Sequence, residues 1–355
     1  MKEFYKNKRV LITGHTGFKG AWLTQILSLW GAKVSGISLP PNTEPNLFEI
    51  LKLKDTSSSY FTDIRDIDGM RKIFQEEKPE IVFHLAAQPI VRTSYDDPLG
   101  TFSTNIMGTA NLLEVCKETD SVKSIVIITT DKVYENKEWH YAYRENDPLG
   151  GHDPYSSSKA AADLVANSYI QSFFNPKDFG VKHHTLVAIA RAGNVIGGGD
   201  WAEYRLVPDF IKAVYHEDKH VEIRNPGSVR PWQHVLEPLS GYLMLAKDLY
   251  QKKTTVSGAW NFGPNNDSFV SVQLLAEGAK EILEKGDYDI KPDTTKHEAT
   301  LLKLDINKAI ALLGWKPQLT FKQTLELTFG WYKNYYEEGG DMASFTNNQI
   351  NTFFK

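Results

Sequence analysis

Short apolar runs alternate with longer amphipathic stretches through the first half of the chain. The runs are Arg9–Ile12, Lys33–Ile37, Tyr60–Ile64, Glu80–Ala87, Val122–Ile128 and Leu186–Ala190. Runs of this kind, apolar at consecutive rather than alternate positions, mark strands buried on both faces, as in parallel sheets. Between them the sequence predicts an amphipathic helix to about Trp30, one over Leu99–Glu118 and one opening at Tyr155. Strands and helices in that alternation predict an α/β fold, a Rossmann-like doubly wound parallel sheet. Beyond Ala190 the alternation fades. Helices are expected near Val207–His216, Leu236–Gln251, Ser271–Lys285, Asn307–Leu313 and Thr320–Glu338, and the tail after Gly339 reads as frayed. The expected organisation is a sheet domain over 1–190, with segments at about 232–262 returning to it, and a smaller interleaved lobe over 191–355.

The turn after the first run carries three glycines at three-residue spacing, Gly14, Gly17 and Gly20, preceded by Thr13. The first permits a tight turn, the second lets a phosphate approach the backbone, and the third lets helix and strand pack closely. A diphosphate could then rest on free N–H groups at the helix N-terminus. No Gly-Lys-Ser/Thr follows, so the turn is not a Walker loop. The expected reading is a dinucleotide seat. An acid usually ends the second strand of such a unit and holds the adenosine ribose, whereas this chain has Ser38 and Leu39 and no arginine. That leaves NAD and NADP both open and predicts a loosely held cofactor. Asp63 either accepts a hydrogen bond from an adenine amino group or caps the next helix. Ala86 and Ala87 form a small-residue turn beside which a flat cofactor could pass.

Ligands in a doubly wound sheet bind beyond the C-terminal strand ends. The fifth run ends in Thr129-Thr130-Asp131-Lys132-Val133-Tyr134-Glu135, dense in hydroxyl, acid and base. Tyr155 and Lys159 follow at i and i+4, on one helical face. The ammonium is expected to pull the phenol pKa from about 10 towards neutrality and to anchor the nicotinamide half of the cofactor. Arg205 and Arg230 could clamp a second diphosphate, one belonging to a substrate. His84 reads as a packed strand-end histidine. His183 and His184 lack a third ligand at zinc spacing, and no Gly-x-Ser-x-Gly elbow supports a hydrolase.

Composition narrows the field. The 355 residues carry 40 Lys and Arg against 44 Asp and Glu, a formal charge of −4, with no dense basic run, which argues against nucleic acid. The single cysteine, Cys116, falls in an apolar helical pattern and is expected in the core. No signal-like segment or bilayer-length apolar run is present, so a cytoplasmic protein is expected.

Taken together, the glycine turn, Ala86-Ala87, Thr130-Asp131, Tyr155/Lys159 and Arg191–Asn194 resemble the extended short-chain dehydrogenase/reductase family. Thr130-Asp131-Lys132 is similar to the Thr-Asp-Glu of its nucleotide-sugar 4,6-dehydratase branch, with lysine at the third position. Lys132, together with Gly14–Gly20 and Arg230–His234, implies CDP-glucose as the nucleotide sugar and NAD as the cofactor. The implied reaction oxidises C4, eliminates water across C5 and C6, and returns the hydride to C6. The resemblance assigns Tyr155 as base at the 4-hydroxyl, Thr130 as its hydrogen-bond partner and Asp131 as acid at the 6-hydroxyl. Lys132 becomes the C5 base, neutralised by burial and coupled to Asp131, with Glu135 in reserve. It further implies cofactor contacts at Thr13, Gly14, Thr16, Gly17, Phe18, Lys19, Gly20, Asp63, Ile64, Leu85, Ala86, Ala87, Tyr155 and Lys159. Substrate contacts are expected at Asn194, Arg205 and Arg230, with no metal. A homodimer or homotetramer is implied through Leu99–Glu118 and Asp153–Phe174, as is a role in deoxysugar formation for surface polysaccharide. A related dTDP- or UDP-sugar dehydratase, a 4-epimerase and a non-catalytic NAD(P) sensor are the competing readings.

Overall fold

Val10, Leu11 and Ile12 are fully buried at the centre of a seven-stranded parallel sheet. The computed structural model describes residues 1–217, 220–223, 225–291 and 302–355. The strands are β1 (Arg9–Thr13), β2 (Lys33–Ser38), β3 (Ser57–Phe61), β4 (Ile81–His84), β5 (Ser124–Ile128), β6 (Leu186–Ala192) and β7 (Gly258–Phe262). Their order is β7-β6-β5-β4-β1-β2-β3. The chain runs outwards from β1 to β3 and then returns to β4 on the other side of β1. A crevice therefore opens beyond the strand ends between β1 and β4, the switch point at which such sheets bind ligands.

The period of two along each strand divides the interior between the two faces. Val10, Ile12, Val126 and Ile128 join one apolar cluster, while Leu11, Ile125 and Ile127 join another. Helices α1 (Phe18–Leu29), α2 (Ile67–Glu77), α3 (Gly108–Lys117) and α4 (Pro154–Ser172) accompany the first six strands. The later helices are α5 (Leu206–Lys212), α6 (Leu236–Tyr250), α7 (Val272–Leu283), α8 (Phe321–Lys333) and α9 (Met342–Phe353). Cys116 is buried in the cluster beneath α2, α3 and α4. Gly258–Phe262 pairs with β6 as an edge strand, and α6 packs on β5 and β6.

Four expectations need correction. α1 is not amphipathic: every residue from Gly20 to Leu27 is buried, because α6 and α9 cover it. β3 lies three residues earlier than expected, at Ser57–Phe61, since its hydroxyl side chains hide the strand from an apolar pattern. The helix over Leu99–Glu118 is interrupted by a wide π turn at Ser103–Met107, in which Asn105 turns inward to bind Gln88 and Ser158. The tail is not frayed. Gly339 ends one helical segment in the left-handed region, and α9 follows with Met342, Ile350 and Phe353 buried.

Candidate active site

The crevice is built from backbone first. Gly14 has φ +77°, and a Cβ there would lie 2.7 Å from the Ala86 nitrogen. A Cβ on Gly20 would lie 2.0 Å from the Gly14 carbonyl oxygen, so only glycine lets α1 start this close to β1. Gly17 is different: it is exposed and a Cβ would meet nothing nearer than 3.5 Å, so its backbone is open to an approaching group. No side chain caps α1 at Gly17. Unfilled N–H groups at an open helix start suit a diphosphate.

Thr13 ties this turn to the next strand. Its Oγ1 bonds His84 Nδ1 at 2.7 Å and accepts from the Ala86 N–H at 3.2 Å, while the Leu85 N–H donates to the Thr13 carbonyl at 3.0 Å. Thr109 occupies the other nitrogen of His84 at 3.0 Å, and burial lowers the imidazole pKa to about 3. His84 is thus a neutral packing residue. Thr16 Oγ1 bonds Ser38 Oγ at 2.7 Å and donates to the Leu39 carbonyl at 2.9 Å. This hydroxyl pair stands where an acid usually ends β2. Phe18 packs beneath the Gly197 turn.

Asp63 does not end a strand and does not cap the following helix. It is bound by Arg65 at 2.6 Å, which holds its carboxyl below the ordinary range, and the cap on α2 is Asp66. Ile64 is buried against Gly108 and turned into the core, leaving only its backbone for any ligand. Ala87 is half-buried beyond the end of β4.

Thr130, Asp131, Lys132 and Tyr155 meet beyond β5. Thr130 Oγ1 donates to Asp131 Oδ1 at 2.9 Å, accepts from the Lys132 N–H at 3.3 Å and faces the Tyr155 phenol. Lys132 Nζ lies 5.8 Å from the centre of the Tyr155 ring. Asp131 is buried against Gly193, where a Cβ would come within 2.1 Å of Oδ2. Sequence reasoning missed that contact, although Gly193 stands in the quoted Arg191–Asn194 stretch. It also missed Asp200, which pairs with Arg205 at 2.8 Å and is pinned by Tyr332, whose hydroxyl donates to the Asp200 carbonyl at 2.6 Å. Lys19 reaches the same charges from α1. Burial and Arg205 lower its pKa to about 8, with Asp131 and Asp200 opposing. Nothing in the local spacing signals these contacts, which form between β1, β5 and the segment after β6.

Three electrostatic expectations change. Burial, with Asp131 adding to it, pushes the Tyr155 phenol up to about 12, and the groups pulling it down are Thr130 and Arg205. Lys159 does not draw it towards neutrality because its Nζ is turned to the Ile128 carbonyl, 2.9 Å away; burial brings its own pKa to about 8. Lys132 is exposed rather than buried, and Asp131 bonds Thr130 instead of pairing with it. Glu135 is exposed and paired with Lys137. Asn194 has φ +24° and its carbonyl accepts from the Gln233 N–H at 3.1 Å. Arg205 faces Tyr155, whereas Arg230 stands on a separate ribbon, Val229–Pro231 against Phe269–Ser271, and donates to the Val229 carbonyl. Among the described residues no His, Cys, Asp or Glu group is arranged to hold a metal.

Comparison with known proteins places the whole chain in a family. A family model described as GDP-mannose 4,6 dehydratase matches residues 11–328. A CDP-glucose 4,6-dehydratase of Salmonella typhimurium is 47% identical over 99% of this chain and 98% of its own. Among solved structures, a UDP-glucose 4-epimerase of Thermotoga maritima with UDP-glucose superposes with a TM-score of 0.78 at 24% identity, covering 92% of this chain and 99% of that one. A UDP-glucuronic acid 4-epimerase of Bacillus cereus, in complex with UDP-glucuronic acid and NAD, gives 0.76 at 25% identity with the same coverage. With a family model spanning most of it and a relative this similar along its whole length, the chain belongs to the GDP-mannose 4,6-dehydratase family.

Proposed function

We propose that the protein is a lyase that converts CDP-glucose to CDP-4-keto-6-deoxyglucose with NAD as a resident cofactor. The observation that carries this reading is the gathering of Thr130, Asp131, Lys132 and Tyr155 beyond β5, in a chain 47% identical to a CDP-glucose 4,6-dehydratase. Atoms balance without net oxidation: C4 loses a hydride and its hydroxyl a proton, the C5 proton and the 6-hydroxyl leave as water, and the resulting enone regains the hydride at C6 and a proton at C5.

The open backbone at Gly17 and the bare start of α1 would hold the cofactor diphosphate, with Lys159 towards the nicotinamide ribose. NAD, when bound, supplies the hydride acceptor and donor together with a cationic ring. Tyr155 takes the proton of the sugar 4-hydroxyl while Thr130 holds that oxygen, and removal of the buried phenol proton is assisted by the neighbouring charge of Arg205. Lys132 removes the C5 proton from the open side of the Tyr155 ring. Asp131, pressed against Gly193, gives a proton to the departing 6-hydroxyl. Glu135 is engaged by Lys137, which favours Lys132 as the base. Arg205, placed beside Asp200, and Arg230 are the cations for the substrate diphosphate, with Asn194 shaping the turn after β6.

The deciding experiment offers CDP-, dTDP- and UDP-glucose and GDP-mannose to the protein with NAD and reads the alkali-induced ultraviolet absorbance of a 4-keto sugar. Signal with CDP-glucose is expected; signal only with another nucleotide would overturn the substrate. No described helix is long and apolar enough to cross a membrane, which is compatible with the cytoplasmic supply of a deoxysugar precursor.

A further inference from the structure

Behind the catalytic strand end lies a buried polar network that the proposed reaction does not use. Asp163 and Arg191 are paired with 1% and 4% of their side chains exposed. Arg191 Nε donates to Oδ2 at 2.8 Å and Nη2 to Oδ1 at 2.7 Å, a bidentate fork. Thr129 Oγ1 donates to the same Oδ2 at 3.1 Å. Arg191 Nη1 donates to the Tyr134 hydroxyl at 2.8 Å, and that hydroxyl donates to Asn261 Oδ1 at 2.7 Å. One carboxylate therefore ties α4 to the end of β5, to β6 and, through Tyr134, to β7. Thr129 and Tyr134, the residues it secures, stand on either side of Thr130–Lys132.

A buried ion pair is a weak way to stabilise a fold, because desolvation offsets the attraction. The position of this one points to another use. Asp163 follows Lys159 by one helical turn, on the same face of α4. We propose that Asp163 is a positioning residue: it locks the strand end that presents Thr130 and Asp131, and its charge keeps Lys159 in the ammonium form. This rests on the dehydratase reading above. The groups that face Lys159 are Lys19 from α1, which lowers its proton affinity together with burial, and Asp163, which raises it. The Ile128 carbonyl accepts from its Nζ, and His84 on β4 is kept neutral by burial.

The test compares Asp163→Asn with the wild-type holoenzyme. Lys159 reactivity is followed against pH by competitive acylation and mass spectrometry, which needs no substrate, so failure of the CDP-glucose reading and of this one are distinguishable. The expected result is a Lys159 labelling midpoint about one pH unit lower. The basic limb of the kcat profile should move with it, and kcat should fall about ten- to hundredfold with little change in KM. A folded Asp163→Asn protein with an unmoved midpoint overturns the charge assignment, however much activity is lost. Thr129→Val removes only the hydroxyl arm and serves if the first variant does not fold. It should lower kcat severalfold and leave the midpoint in place, and wild-type kcat in that variant overturns the locking role. A cavity of about 340 Å³, lined by Asp163, Arg191, Glu145, Asn167 and Lys308, opens on the pair. Formate supplied to Asp163→Gly through that opening should restore both the midpoint and kcat; recovery of kcat without the midpoint counts against the proposal.

Discussion

Glu237 sits inside the protein with Oε1 accepting from the N–H groups of Gln318 and Leu319, both at 2.7 Å. Its Oε2 has no partner among the described residues, and burial pushes the carboxyl up to about 7 from 4.5. A raised folded pKa means that the unfolded chain gives up its proton first, so the stability from this group is full below about 4.5 and is lost as pH rises through 7. Glu237→Gln keeps the acceptor and removes the charge. Its Tm should exceed that of the wild type at about pH 8 and match it near pH 4.5, as scanning calorimetry would read. His84 and His234 act in the opposite sense. Burial lowers both to about 3, so their stabilisation is present above 6.5 and fades as pH falls towards 3. In the crevice, Lys132 is the residue whose loss separates chemical steps. Lys132→Ala should still oxidise C4 yet incorporate solvent deuterium at C5 at least about a hundredfold more slowly; incorporation at the wild-type rate would remove Lys132 as the base. The placement of Thr130 and Tyr155 at the end of β5 could be read from order and position along the chain. The packing of Asp131 on Gly193 could not, because the two come together only when β5 and β6 pair.

At the level of elements, the glycine turn announced itself because its chemistry is local: a tight φ, an open backbone and a close helix all fall within seven residues. The last helix gave no such sign. Its buried positions Met342, Thr346, Gln349, Ile350 and Phe353 recur at helical spacing, but two are polar and the residues between them include Asn347, Asn348 and Asn351, so the stripe reads as a solvated tail. β3 was displaced for a related reason, since Ser57-Ser58-Ser59 form a strand at the sheet margin with hydroxyls where an apolar run was sought. The C-terminal assignment is checkable. Ile350 is fully buried in the large apolar cluster, so Ile350→Ala should cost about 2–5 kcal/mol in urea unfolding. A loss below about 0.5 kcal/mol would mean that α9 is not docked in solution.

For the whole molecule, the sheet and its switch point were legible from six apolar runs, whereas the covering of α1 was not. α9 packs on it from far along the chain, and no local pattern records which face a late helix will cover. We propose that copies of the chain pair. Leu99 (80% exposed) precedes the wide turn, Met107 (53%) ends it, and Leu164 (56%) projects from α4. These apolar side chains support a pairing of copies through the two expected helical regions, and light scattering should return two or four times the 40.2 kDa chain mass. A monomer mass would exclude it. The covering of α1 has a consequence for how the protein is made. Gln25 bonds Asn347 at 2.7 Å, 322 positions away, and Trp30 meets Phe354 edge-on at 4.9 Å, so the first long helix finds some of its neighbours very late in the chain. During synthesis an apolar helix must wait, only part-covered, until those distant residues have been made, which makes the early product a natural client for chaperones.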